Sequence, residues 1–166
     1  MNKKQINMLI SWIAVFLWMI LIFNLSSQVA EQSDHLSTGI TEIIIRTINK
    51  VIPNINFDIS NHIVRKNAHF FIYLILGMLA VNALRRSKVV GDKSIALLIC
   101  FLYAILDELH QFYVPGRGPG VKDIFIDSAG ATVGILLYLA ISRINKRVIT
   151  NRKTCNESSN FNCDRI

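Results

Sequence analysis

The sequence predicts an all-α, polytopic membrane protein of four transmembrane helices, with an amphipathic helix in the first outer loop. Three observations carry this. Of 166 residues, 52% are apolar, and the mean hydropathy of +0.41 is high for a water-soluble domain of this size. Four apolar segments each approach the ~20 residues needed to cross a hydrocarbon core. The basic residues gather at the ends of those segments, as topology signals do.

The first span runs from Met8 to Leu25, behind Lys3 and Lys4. A cleaved signal peptide is the competing reading, but the apolar run exceeds the usual core length and Gln28 stands where a small residue would precede cleavage after Ala30. The outer loop that follows, Ser26 to Asn61, carries Leu36, Ile40, Ile43, Ile44, Ile48 and Val51 at helical spacing, with Glu42, Arg46 and Lys50 turned away. This predicts a helix lying on the membrane surface or capping the bundle, ended by Pro53.

Spans two, three and four cover about Ala68–Leu84, Ser94–Phe112 and Ile124–Ile144. Arg85, Arg86, Lys88 and Lys93, and the basic tail from Arg143, share a side with Lys3 and Lys4. That side is predicted to be cytoplasmic, placing both termini inside a multi-pass protein of the cell membrane. The four-helix domain is expected over residues 1–147, followed by a polar, disordered cytoplasmic tail over 148–166.

The net charge of +7 does not point to nucleic acid, because the basic residues are not gathered with stacking aromatics on one face. Cys100, Cys155 and Cys163 lack metal-site or disulfide spacing and read as free thiols.

Ionisable residues inside the spans carry the functional signal, because charge at membrane depth is costly and usually faces the bundle interior. Arg65, His69 and Tyr73 follow an i, i+4, i+8 line on span two. Asp107 and Gln111 share a face of span three, with Glu108 beside them; Asp123 and Asp127 repeat the i, i+4 spacing on span four. At 1.5 Å per residue, all fall near the outer end of the bundle. Gly130 and Gly134 form a small-xxx-small pattern suited to close helix packing. The loop Val114-Pro115-Gly116-Arg117-Gly118-Pro119-Gly120 reads as a shaped turn holding Arg117 near the carboxylates. The predicted ligand-binding set is therefore Arg65, Lys66, His69, Tyr73, Asp107, Glu108, Gln111, Arg117, Asp123 and Asp127.

These residues resemble the VanZ-like family of small bacterial membrane proteins. The resemblance rests on Arg65-Lys66-Asn67-Ala68-His69-Phe70 with Tyr73 and Gly77. It continues through Asp107-Glu108-Leu109-His110-Gln111, Pro115-Gly116-Arg117, and Asp123 with Gly130 and Gly134, and covers roughly Leu9 to Ile144. One departure is Asp127, where many relatives carry Asn. The resemblance implies a role in teicoplanin-type glycopeptide tolerance or in cell-envelope homeostasis, and names a phenotype more securely than a reaction.

Several readings of the polar cluster remain open. It fits an outward-facing pocket for an anionic cell-wall precursor or lipid headgroup, with Arg65, Lys66 and Arg117 as the clamp. It also fits phosphoester hydrolase or transferase chemistry, with His69, Glu108 and Asp127 as catalytic candidates and as hard ligands for a divalent metal. No other cofactor is expected, and no HExxH, P-loop or serine elbow is present. A third reading is an ion-pair network that only holds the helices in register. Proton-linked transport is disfavoured, because the charges stop near one surface and no internal repeat is visible.

Overall fold

A computed structural model describes residues 2–27, 61–115 and 120–163, the last turns of the chain and residues 61–65 and 149 by their backbone alone. Among the described residues there are four helices and no strand: α1 Lys3–Ser26, α2 Asn61–Arg86, α3 Asp92–Phe112 and α4 Val121–Cys163. All four are long and apolar enough to cross a membrane, so the chain is a multi-pass membrane protein. The amphipathic helix expected over residues 36–51 lies outside the described residues.

Each helix exceeds its apolar run because polar residues extend it into the interface. At α1, Gln5 Oε1 accepts the Asn2 backbone N–H at 3.0 Å, satisfying one of the donors a helix start leaves open. Between α2 and α3 the chain reverses through Lys88, at φ 55°, and Gly91, at φ 77°. The Lys88 and Val89 N–H groups return to the Arg85 and Leu84 carbonyls at 3.1 and 3.2 Å, the pairing that closes a helix through one left-handed residue. The span portion of α4 covers Val121–Val148, but its backbone stays helical to Cys163. No glycine or proline interrupts the stretch from 149 to 163, so nothing in its backbone chemistry stops the helix there.

Helix α2 is the hub. It packs on α4 over its whole length and on α1 and α3 as well, while α1 touches α3 only slightly. Both α2 and α4 run away from the same end of the bundle, and their side chains pair in parallel register. A Cβ built on Gly130 would collide with the Phe70 carbonyl, one on Gly134 with the Leu74 carbonyl, and one on Gly77 with the Ala131 carbonyl. Glycine is required there by backbone-to-backbone approach, which is how helices associate where lipid removes the hydrophobic drive. The predicted Gly130/Gly134 contact is thus observed, with Gly77 as a third member.

The core comprises Tyr73, Leu76, Ala80, Val81, Ala96, Cys100, Ala104 and Ala131, all essentially inaccessible, with Val15 and Ile22 from α1. Polar ties cross between helices where polar tips are buried. Trp18 Nε1 donates to the Ile72 carbonyl at 3.0 Å, and Tyr103 donates to the Met19 carbonyl at 2.5 Å. At the opposite end from the acidic cluster, Arg85 donates to Asp92 at 2.8 Å and to Ser142 at 3.2 Å, and Trp12 donates to Ser87 at 3.0 Å.

Candidate polar site at one end of the bundle

Three helices aim polar side chains at one point. From the first half of α2 come Lys66, His69 and Tyr73; from the last turns of α3, Asp107, Glu108 and Gln111; from the first turns of α4, Asp123 and Asp127. Asp107 and Asp127 are each only 3% exposed, and Tyr73 is fully buried. Glu108 and Gln111 are also buried. Carboxylates at this depth carry a large desolvation cost, so their partners decide what the cluster is for.

The α2–α4 register sets two of the contacts. Lys66 Nζ lies 3.2 Å from Asp123 Oδ1, both partly exposed at the rim. One turn deeper, His69 Nδ1 lies 3.7 Å from Asp127 Oδ1. The next rungs are the Phe70–Gly130 and Leu74–Gly134 approaches, so the glycines hold together the strip on which the polar pairs sit.

Helix α3 closes the cluster with consecutive residues that face different neighbours, as the ~100° step per residue requires. Asp107 turns inward, where Gln111 Nε2 donates to its Oδ2 at 3.3 Å. Glu108 turns to the start of α4 and accepts the Gly120 backbone N–H. A carboxylate at that place satisfies an open donor and opposes the positive end of the α4 dipole.

This geometry changes the predicted donor set. The sequence suggested His69, Glu108 and Asp127 as one constellation; the structure brings together His69, Asp107 and Asp127, with one donor atom from each lying within 4.8 Å of the others. Glu108 is diverted by the α4 terminus. The N–H of Gly120, directly after Pro119 in the sequence, was the available signal, but the loop path needed to deliver it is not encoded in spacing.

Among the described residues, no lysine or arginine pairs with Asp107 or Asp127. Asp107 Oδ1, Asp127 Oδ1 and the Tyr73 hydroxyl are buried without a hydrogen-bond partner there. Tyr73 lies within electrostatic reach of both carboxylates. The Arg65 side chain and all of Arg117 lie outside the described residues. His110 is drawn away from the cluster: its Nε2 is 3.0 Å from Ser27 Oγ, and its ring lies 4.3 Å from the Phe23 ring. It serves the α1–α3 contact, a role that its position in the sequence did not distinguish from the site.

Beside the cluster, the α3–α4 face is furrowed. A groove of about 400 Å³ is walled by Ile105, Leu109, Phe112, Val121 and Ile124 and has Glu108 at its edge. A second groove, of about 470 Å³, continues along the same pair of helices past Leu97, Phe101, Ser128 and Thr132. Of the described cluster residues, Glu108 alone lines either groove.

A family model described as VanZ/LLP1 matches residues 11–143, which includes every described residue of the cluster. No curated protein and no solved structure is detectably similar.

Proposed function

The chain belongs to the VanZ/LLP1 family, and from that premise we propose that its polar site binds the anionic, phosphate-bearing headgroup of a membrane amphiphile. The bundle is oriented with this site at the outer surface. Through that binding the protein contributes to teicoplanin-type glycopeptide tolerance or to envelope homeostasis. One observation carries the reading: an apolar groove between α3 and α4 has Glu108, a member of the buried polar cluster, at its edge, and Lys66 stands at the rim of that cluster. An amphiphile has the complementary form, a chain that fits the furrow and a headgroup that reaches the cluster. Arg65 precedes Lys66 in the sequence and Arg117 lies in the loop before α4, so both add cationic charge suited to phosphate.

The basic ends of the spans support the orientation. Arg85, Arg86, Lys88 and Lys93 lie at the end of the bundle opposite the cluster, and the positive-inside rule puts that end in the cytoplasm.

The test has two arms. The full chain in nanodiscs is examined by native mass spectrometry for retention of phosphatidylglycerol and, separately, of a polyprenyl phosphate, against phosphatidylcholine. Selective retention of one identifies phospholipid or lipid-linked precursor as the source; equal retention of all three refutes the reading. In parallel, a glycopeptide-sensitive Gram-positive host making wild-type or Asp107→Asn protein at matched membrane levels is challenged with teicoplanin and vancomycin. Protection by wild type that is lost in the variant supports the site; equal protection by both removes it from the function.

A further inference from the structure

Among the described residues, the bottom of the site holds two buried carboxylates. Asp107 and Asp127 are almost fully buried, come from different helices, and have no lysine or arginine partner among the described residues. His69 Nδ1, at 3.7 Å, is beyond hydrogen-bond distance of Asp127 Oδ1. Each carboxylate keeps one oxygen without a hydrogen bond. Carboxylates in a low-dielectric interior either hold a proton or sit beside something positive that offsets them.

We propose that His69, Asp107 and Asp127 hold a divalent cation, of the Mn²⁺, Mg²⁺ or Zn²⁺ type, with Tyr73 directed at its coordination sphere. Three features of the donor set argue for it. One imidazole nitrogen and two carboxylate oxygens form a mixed nitrogen and oxygen set suited to these ions. With ligands at about 2.0–2.2 Å, neighbouring donors around such an ion sit roughly 3.0–3.5 Å apart. The observed donors lie within 4.8 Å of one another, so rotamer-scale contraction completes the site. Independently of the acids, the Tyr73 hydroxyl is wholly buried and lacks a hydrogen-bond partner among the described residues. It supplies a donor for an oxygen bound to the cation, whether water or phosphate.

Three protein ligands leave coordination positions open, the arrangement of sites that bind exchangeable oxygen ligands rather than purely structural ones. The cation resolves the electrostatic objection to an anion entering an acidic pocket: it neutralises Asp107 and Asp127 and presents positive charge to phosphate. This last step rests on the headgroup reading above; the cation site itself rests only on the three ligands and Tyr73.

The experiment uses Mn²⁺ as probe. The full chain in phosphatidylcholine nanodiscs is titrated and read by electron paramagnetic resonance. The expected result is saturable binding of about one ion per chain, with an imidazole nitrogen coupling. That coupling disappears in His69→Ala, and affinity falls at least ~10-fold in Asp107→Asn and Asp127→Asn. The Asn variants keep shape while removing buried charge, so without metal they unfold no earlier than wild type; this separates loss of a ligand from loss of fold. No saturable binding to folded wild type, or affinity unchanged from wild type in all three variants, overturns the proposal, and a proton shared between the carboxylates then accounts for the cluster. Repeating the titration with phosphatidylglycerol, and again with a polyprenyl phosphate, separates the two readings. Mn²⁺ binding without phosphorus coupling or lipid retention leaves the cation site standing and refutes the headgroup reading. Lipid retention without saturable Mn²⁺ binding does the reverse.

Discussion

Replacing Gly134 by alanine tests the parallel α2–α4 contact on which the polar site depends. An added Cβ would lie 2.8 Å from the Leu74 carbonyl carbon and nearer still to its oxygen. Ordinary Cβ contacts begin at 3.4 Å, so the helices must part by roughly 0.6 Å or more, against backbone that cannot rotate away as a side chain would. Overpacking against backbone costs about 2–3 kcal/mol, the upper part of the usual range, and the better helix propensity of alanine returns about 1 kcal/mol. The expected net loss is about 1–2 kcal/mol. Gly130→Ala, with the Phe70 carbonyl carbon at 3.1 Å, follows the same argument with a smaller gap to make up. Thermal unfolding of the full chain in nanodiscs, read by the fluorescence of Trp12 and Trp18, measures both. Val133→Ala, which trims a partly exposed side chain on the same helix, is the control and stays within about 0.5 kcal/mol. If Gly134→Ala unfolds at or above the wild-type midpoint, close backbone packing does not hold this bundle together and the register argument for the site fails with it.

Other outcomes follow from single contacts. Glu108→Gln keeps the shape of the carboxylate that accepts the Gly120 N–H but loses its charge at the α4 start, and lowers stability by about 0.5–1 kcal/mol in the same assay. Trp18→Phe removes the donor to the Ile72 carbonyl and costs about 1 kcal/mol; a neutral result would show that lipid or water replaces the tie. Cys100 is fully buried, so it resists maleimide in the folded protein and reacts on unfolding. Cys155 and Cys163 report topology: with the C-terminus inside, a membrane-impermeant maleimide labels them in permeabilised cells and not in intact ones. Labelling of intact cells would invert the orientation.

Much of the fold was legible because membrane spans announce themselves by length and apolarity. Spans three and four were placed within a few residues of their helices at the ends the site occupies, and the Gly130/Gly134 spacing identified the close contact. Which residues meet across helices was harder. The i, i+4 pairs on each helix showed that His69, Asp107 and Asp127 could face inward, but not that parallel α2 and α4 would align Lys66 with Asp123 and His69 with Asp127. That register depends on carbonyls meeting glycines, which spacing within one helix does not encode. Glu108 and Asp107, adjacent in sequence, were separable only once the start of α4 was in place. The same holds for His110, whose partners Phe23 and Ser27 come from a helix some eighty residues earlier.

The parallel pairing of α2 and α4 also sets a schedule. Helix α2, bearing His69 and a glycine at position 77, is made before α4, its main packing partner. Until α4 arrives, the α2 face that will meet Gly130 and Gly134 is turned to lipid or to the translocation machinery, and Asp107 waits on α3 without Asp127 beside it. The last span therefore completes the site. A chain that stops before Val121 lacks the two α4 carboxylates that face Lys66 and His69.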